Sequence, residues 1–183
     1  MAGRNLFETY QYYGRTAAAS TCCVFISHNS KDKSMARVVA TALLEMGVDI
    51  YFDERDLILK DAAAAGQDVA IVKCIEDGLN RSTHLLGLIT RNTFQSWWVP
   101  YEIGGANGRS RTCGHLVSSD VTRLPSYVKV SPILLDIDAL ATWVAGSIRR
   151  KKEVIREAMA HTTVMGIQAY VPMYRPQSQI TYY

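Results

Sequence analysis

The residues best suited to chemistry lie in one short segment, Ser96-Trp97-Trp98-Val99-Pro100-Tyr101-Glu102. On a helix Trp98 and Glu102 are i and i+4 and share a face. A carboxylate beside a large aromatic ring, at the mouth of a fold, is partly shielded from water. It can stabilise developing positive charge there while the ring stacks on a flat substrate group. Spacing alone leaves a plainer reading open, in which the tryptophans belong to the core and Glu102 is a surface charge.

Missing motifs narrow the chemistry further. No GxGxxG follows the first apolar run and no GxxxxGK[ST] occurs, so neither a dinucleotide cradle nor a P-loop is expected. HExxH and GxSxG are absent as well. Cys22, Cys23, Cys74 and Cys113 form no CxxC and have no histidine at ligand spacing, so no metal site is expected. Cys22 and Cys23 are neighbours that point to opposite faces of a strand, which disfavours a mutual disulfide. Free thiols in a reducing, cytoplasmic compartment are the expectation.

The elements that must position the segment are readable from periodicity. Cys22-Cys23-Val24-Phe25-Ile26-Ser27 is a buried strand stopped by His28-Asn29-Ser30. Met35, Val38, Val39, Ala42, Leu43 and Met46 make one apolar helix face, with Ser30, Asp32 or Ser34 to cap it and Gly47 to end it. Val48-Asp49-Ile50-Tyr51-Phe52 is a second strand, followed by a long polar connection from Asp53 to Gly66. Ile71, Val72, Ile75 and Leu79 carry a second helix, and Leu85-Leu86-Gly87-Leu88-Ile89 a third strand.

A helix opening at Asn92 or Ser96 should fade at Gly104-Gly105 and Asn107-Gly108. Leu116-Val117 and Val130 to Leu135 are weaker strands, and Asp138 to about Ala160 reads as a long final helix. Its run Arg149-Arg150-Lys151-Lys152 is best read as a solvated face.

Alternating strands and helices imply an α/β fold with a central parallel sheet of about five strands covered on both faces. Ligands of such sheets sit beyond the carboxyl ends of the strands. Three segments therefore share one rim: Ser27 to Asp32, Asp53 to Gly66, and Thr90 to Ser96. Of the four histidines only His28 falls on it, and a lone histidine carries little weight.

The whole chain has 183 residues, 48% apolar and 20% charged, with a net charge of +3. That composition suits one globular domain and offers no basic face for nucleic acid. No apolar run approaches the roughly eighteen residues of a membrane span, and the start lacks the order of a secretory signal. The expected organisation is an extension at 1–21, a domain at 22–160 and a second extension at 161–183. Both extensions are rich in tyrosine, which suits either contact with another subunit or folding back on the domain.

Taken together, these segments resemble the TIR (Toll/interleukin-1 receptor) domain family in its bacterial form. Cys23-Val24-Phe25-Ile26-Ser27-His28-Asn29-Ser30-Lys31-Asp32-Lys33 is similar to the family's first-strand box. Gly47-Val48-Asp49-Ile50-Tyr51-Phe52-Asp53 resembles the second-strand box leading into its BB loop. Ser96-x-Trp98-x-x-x-Glu102 matches the Ser/Trp/Glu signature of its enzymatic members, and Leu124-Pro125-Ser126-Tyr127 resembles a stretch before the last strand.

The resemblance implies a flavodoxin-like three-layer sandwich and cleavage of the nicotinamide–ribose bond of NAD+, with NAD+ as substrate rather than cofactor. It implies Glu102 as the catalytic carboxylate, with Ser27, His28, Tyr51, Ser96 and Trp98 against the substrate and Asp53 as a weaker candidate. Ser96 reads equally as a helix cap. The resemblance also implies self-association through TIR–TIR contacts. A lone domain of this size resembles the TIR subunit of anti-phage systems such as Thoeris, in which a separate effector protein reads a nucleotide product such as a cyclic ADP-ribose isomer. A non-catalytic adaptor or a virulence-type mimic acting through TIR–TIR contacts is the alternative.

Overall fold

The computed structural model describes residues 3–6, 22–52, 68–149, 164–172 and 175–182. The long connection after the second strand, Phe7 to Tyr13, and Ile155 and Met159 of the expected final helix lie outside the described residues.

Five parallel strands form the central sheet, in the order β2-β1-β3-β4-β6. They are β1 (Cys23–Ser27), β2 (Asp49–Tyr51), β3 (His84–Ile89), β4 (Thr112–Val117) and β6 (Ile133–Leu134). The expected α/β sandwich is therefore present, with helices on both faces. One face packs against α1 (Lys33–Glu45) and α4 (Ile137–Ile148), sealed by Val24, Ile26, Leu86, Leu88 and Leu116. The other packs against α2 (Asp68–Arg81) and α3 (Trp98–Gly108), through Phe25, Leu85, Ile89 and Val117. Alternation along each strand makes this division automatic: in β1, Val24 and Ile26 look one way and Cys23, Phe25 and Ser27 the other. Runs buried on both faces read as continuously apolar, which is why these strands stand out in the sequence.

Several elements differ from expectation for identifiable reasons. Asp32 stands at the N-cap position of α1 as expected, but its side chain makes no capping bond there, while Asn29 caps the short 3-10 turn (Ser30–Asp32) before it, its side chain accepting from the Lys31 amide. The third helix runs on through Gly104 and Gly105 and ends only at Gly108. Gly105 lies inside it because α2 comes close: a Cβ there would stand 2.9 Å from Leu79 Cδ1. Strand β4 starts at Thr112, four residues before the apolar pair Leu116-Val117. The final helix stops at Ile148, where Arg149 turns left-handed at φ 53°. Gly47, with φ 80°, ends α1's turn in the left-handed conformation a helix terminator needs.

Both ends of the chain contribute to the domain. Asn5 bridges in parallel to Ile50, and the Arg4 guanidinium pairs with Asp49 at 2.9 Å, so residues 3–6 cover the β2 edge. Near the other end, β7 (Thr181–Tyr182) pairs with β5 (Arg123–Leu124). The short helix α5 (Val164–Gln168) buries Ile167 in the α1/α4 face, while Ile180 fills the α2/α3 face. Among the described residues no helix is long and apolar enough to cross a membrane.

Candidate functional site

Ser27 ends β1 on the face that looks to α3, and Glu102 belongs to α3's inward stripe. Val99, Glu102, Ile103 and Ala106 are the buried residues of that helix, at i, i+3, i+4 and i+7. Glu102 therefore occupies a position where pattern alone would set an apolar side chain. It retains 9% of its surface, and Ser27 retains none. The Ser27 hydroxyl donates to Glu102 Oε2 at 2.5 Å, in the short range of a hydroxyl on a carboxylate. A buried carboxylate without hydrogen bonds would be strongly disfavoured. The pair is thus a unit assembled by two elements 75 residues apart in the chain.

The other expected residues are placed as follows. His28 sits half-buried on the rim, its ring 5.4 Å from Phe52 and its Nδ1 3.2 Å from the Ile26 carbonyl. Tyr51 lies lower, stacked on Phe25 at 5.7 Å with planes 8° apart, and flush against Gly78. The Ser96 hydroxyl accepts from the Val99 amide at 3.2 Å, which makes it a cap at the start of α3. Trp98 opens α3 one turn before Glu102, is 36% exposed and meets Tyr101 edge-on at 6.1 Å. Asp53 lies outside the described residues. The structure therefore brings Ser27 and Glu102 into contact and sets His28, Ser96 and Trp98 around the same end of the sheet.

Sequence reasoning missed a polar network on the rim between the loops after β1 and β3. Thr90 Oγ1 and Asn92 Nδ2 both donate to the Asp32 carboxylate at 2.6 Å. Asn29 Nδ2 donates to the Asn92 carbonyl, and Thr93 Oγ1 donates to the Leu88 carbonyl. Thr90 and Thr93 also form a reciprocal capping box on the 3-10 turn Arg91–Gln95, a spacing that was visible in the sequence. Two exposed aromatics, Phe94 and Trp97, flank this turn.

One further group lies in the same row of the sheet. Ser27 pairs with Gly87, and Gly87 pairs with His115. The His115 ring leans over Gly87, where a Cβ would stand 2.8 Å from its Nδ1. Burial pushes this imidazole down to about 4, and among the described residues neither ring nitrogen has a hydrogen-bond partner. The thiols are poor nucleophiles: burial pushes Cys22 up to about 11 and Cys23 up to about 12. Among the described residues no cluster of His, Cys, Asp or Glu is arranged to hold a metal ion.

Comparison with known proteins agrees with the fold. The family described as TIR domain matches residues 24–120, just over half of the chain, from β1 to the loop after β4. A comparison with curated proteins finds no match.

Proposed function

The chain belongs to the TIR domain family, and we propose that it cleaves the nicotinamide–ribose bond of NAD+ with Glu102 as its catalytic carboxylate. The observation that carries this reading is the burial of Glu102 in an apolar stripe with its oxygen held by Ser27. An adaptor surface has no use for a carboxylate kept there at such cost.

The chemistry suits the residues. Nicotinamide leaves a cationic pyridinium as a neutral molecule, taking the electrons of the broken C–N bond, so no strong general acid is needed. Positive charge then develops on the ribose as an oxocarbenium-like centre, which a neighbouring carboxylate stabilises. Ser27, donating to Oε2, fixes the carboxylate plane before the substrate arrives, so little reorganisation remains at the moment of cleavage. Water, a hydroxyl of the substrate or another acceptor closes the reaction, its oxygen bonding to the ribose carbon as its proton passes to solvent. Water yields ADP-ribose, and an internal acceptor yields a cyclic isomer. The half-exposed Trp98 supplies a face for a flat ring, and His28 lines the rim.

On this reading activity depends on assembly of several copies, and a separate effector reads the product in bacterial anti-phage defence. The heavily exposed Trp97 favours the other reading, an adaptor acting through TIR–TIR contacts.

Nicotinamide release from NAD+ by the purified protein, with and without a crowding agent, separates the two. Glu102→Gln can still accept from Ser27 but lacks the charge, and should lose on the order of a hundredfold or more in rate. No release by wild type under assembling conditions, or equal release by the variant, overturns the reading of Glu102 as the catalytic carboxylate. Mass spectrometry of the reaction identifies the product.

A further inference from the structure

We propose that Asp32 is a positioning residue for this site, joining the loop after β1 to the loop after β3 into one rigid lip. The inference rests on the reading of Glu102 as the catalytic carboxylate of NAD+ cleavage. The first loop leads from Ser27 through His28 and Asn29 to Asp32, and the second from Thr90 to Ser96, the cap of the helix that carries Glu102. Each half of the reacting pair thus hangs from one of the two loops.

Four hydrogen bonds tie the loops together or brace the tie. Asp32 Oδ2 takes the Thr90 hydroxyl and Asp32 Oδ1 takes the Asn92 amide, both at 2.6 Å. Asn29 Nδ2 crosses back to the Asn92 carbonyl at 3.1 Å. The Asn92 backbone amide donates to Thr90 Oγ1 at 3.1 Å, so the threonine hydroxyl accepts from one neighbour while it donates to Asp32. The second loop is anchored below by Thr93, which donates to the Leu88 carbonyl and accepts from the Thr90 amide. Because an anionic acceptor shared by two neutral donors is stronger than neutral pairs, Asp32 is the centre of the network. Among the described residues, the hydrogen bonds of this network run between the two loops and not to Glu102, so its effect on the reaction runs through the placing of the lip.

The donor–acceptor pattern permits a test that a general loss of packing does not imitate. Asn92→Asp sets a second carboxylate against Asp32, and like charges at that distance repel. Adding Asp32→Asn restores one carboxylate and one amide, with the roles exchanged. Two readouts are needed: kcat and KM for nicotinamide release, and amide hydrogen exchange of residues 28–32 and 90–95.

Asn92→Asp should raise exchange in both segments together and lower kcat/KM by about ten- to a hundredfold, the usual effect of misplaced reacting groups. The double variant should recover both. Exchange confined to one segment, or a double variant no better than Asn92→Asp, overturns the proposal. So does a fall in melting temperature with kcat and KM unchanged. Should wild type release no nicotinamide, the parent reading fails by itself, while the exchange readout still decides whether Asp32 joins the loops.

Discussion

His115 offers a prediction whose size follows from the structure. The residue is fully buried, and among the described residues no partner meets either ring nitrogen. Burial lowers its pKa from 6.5 to about 4. The native state therefore resists the proton that the unfolded chain accepts. Between these values the unfolded state binds more protons, so stability rises with pH. It is fully present above about 6.5 and is lost as pH falls toward 4. At about 1.36 kcal/mol per unit the whole window is worth about 3 kcal/mol, of which about 2 kcal/mol is lost between pH 7 and pH 5. Burial lowers His84 as well, in the same direction, so wild type alone does not isolate the effect.

His115→Leu does isolate it. The substitution keeps an apolar side chain of similar bulk over Gly87 and removes two buried, unpartnered nitrogens. Each such group costs about 1–3 kcal/mol, so the variant should be at least as stable as wild type at pH 7. Urea unfolding at pH 7 and pH 5, with m-values checked for constancy, measures the four stabilities. The drop between the two pH values should be smaller in His115→Leu by about 2 kcal/mol. Equal drops in the two proteins would refute the reasoning, because they would show that His115 is protonated as readily in the fold as outside it.

The remaining predictions concern the same row and the segments around it. Gly87→Ala drives a methyl group to 2.8 Å from His115 Nδ1. It should cost about 1–3 kcal/mol in urea unfolding, relieved by adding His115→Ala. Ser96→Ala removes the acceptor for the Val99 amide and should cost about 1 kcal/mol, with KM for NAD+ unchanged if the hydroxyl serves as a cap. Arg175→Met leaves the carbonyls of Ser118 and Val121 without the guanidinium that now donates to both. That should cost about 1–3 kcal/mol, measured by thermal or urea unfolding, and loosen hydrogen exchange at 118–121.

The parts of the fold legible in the sequence were those whose burial is periodic or continuous. Strands β1 and β3 are buried on both faces, and α1 carries a clean apolar stripe, so both patterns survive in the residue order. Strand β4 was half hidden because Gly114 and His115 interrupt its apolar run. Gly114 is there for room, since a Cβ would stand 2.7 Å from Trp143 Nε1, and that ring arrives from α4. No local pattern encodes such a contact. The C-terminal residues were opaque for a similar reason. Arg175 is buried by carbonyls of the loop after β4, and its own amide by Asp136, at separations no period reports.

At the site, Glu102 and Ser27 were each legible as rim residues, but their hydrogen bond is a property of the tertiary fold. Asp32 and Asn92 read in the sequence as candidates to start helices, and Thr90 as a rim residue, but the hydrogen bonds that join them exist only once the two loops meet. Tyr51 was legible as the end of β2, but the stacking of its ring on Phe25 is a tertiary contact.

The burial of Glu102 also limits how its contribution can be divided. Val99, Ile103 and Ala106 give the carboxylate an apolar setting, and Ser27, itself inaccessible to solvent, supplies a polar partner within it. Truncating Ser27 alone leaves a carboxylate in a poorly solvating pocket, and truncating Glu102 alone leaves a buried hydroxyl facing apolar neighbours. Each single change carries a penalty for the orphan it creates, beyond the bond it removes. Removing both eliminates the orphans, so the two losses in stability must sum to more than the loss in the double variant. On the proposed reading of Glu102, the same low-dielectric setting that makes the pair costly in the free protein would strengthen its attraction for positive charge on a bound ribose. What is disfavoured before the substrate arrives would then be what stabilises the transition state, with Ser27 and Glu102 acting as a single group in both respects.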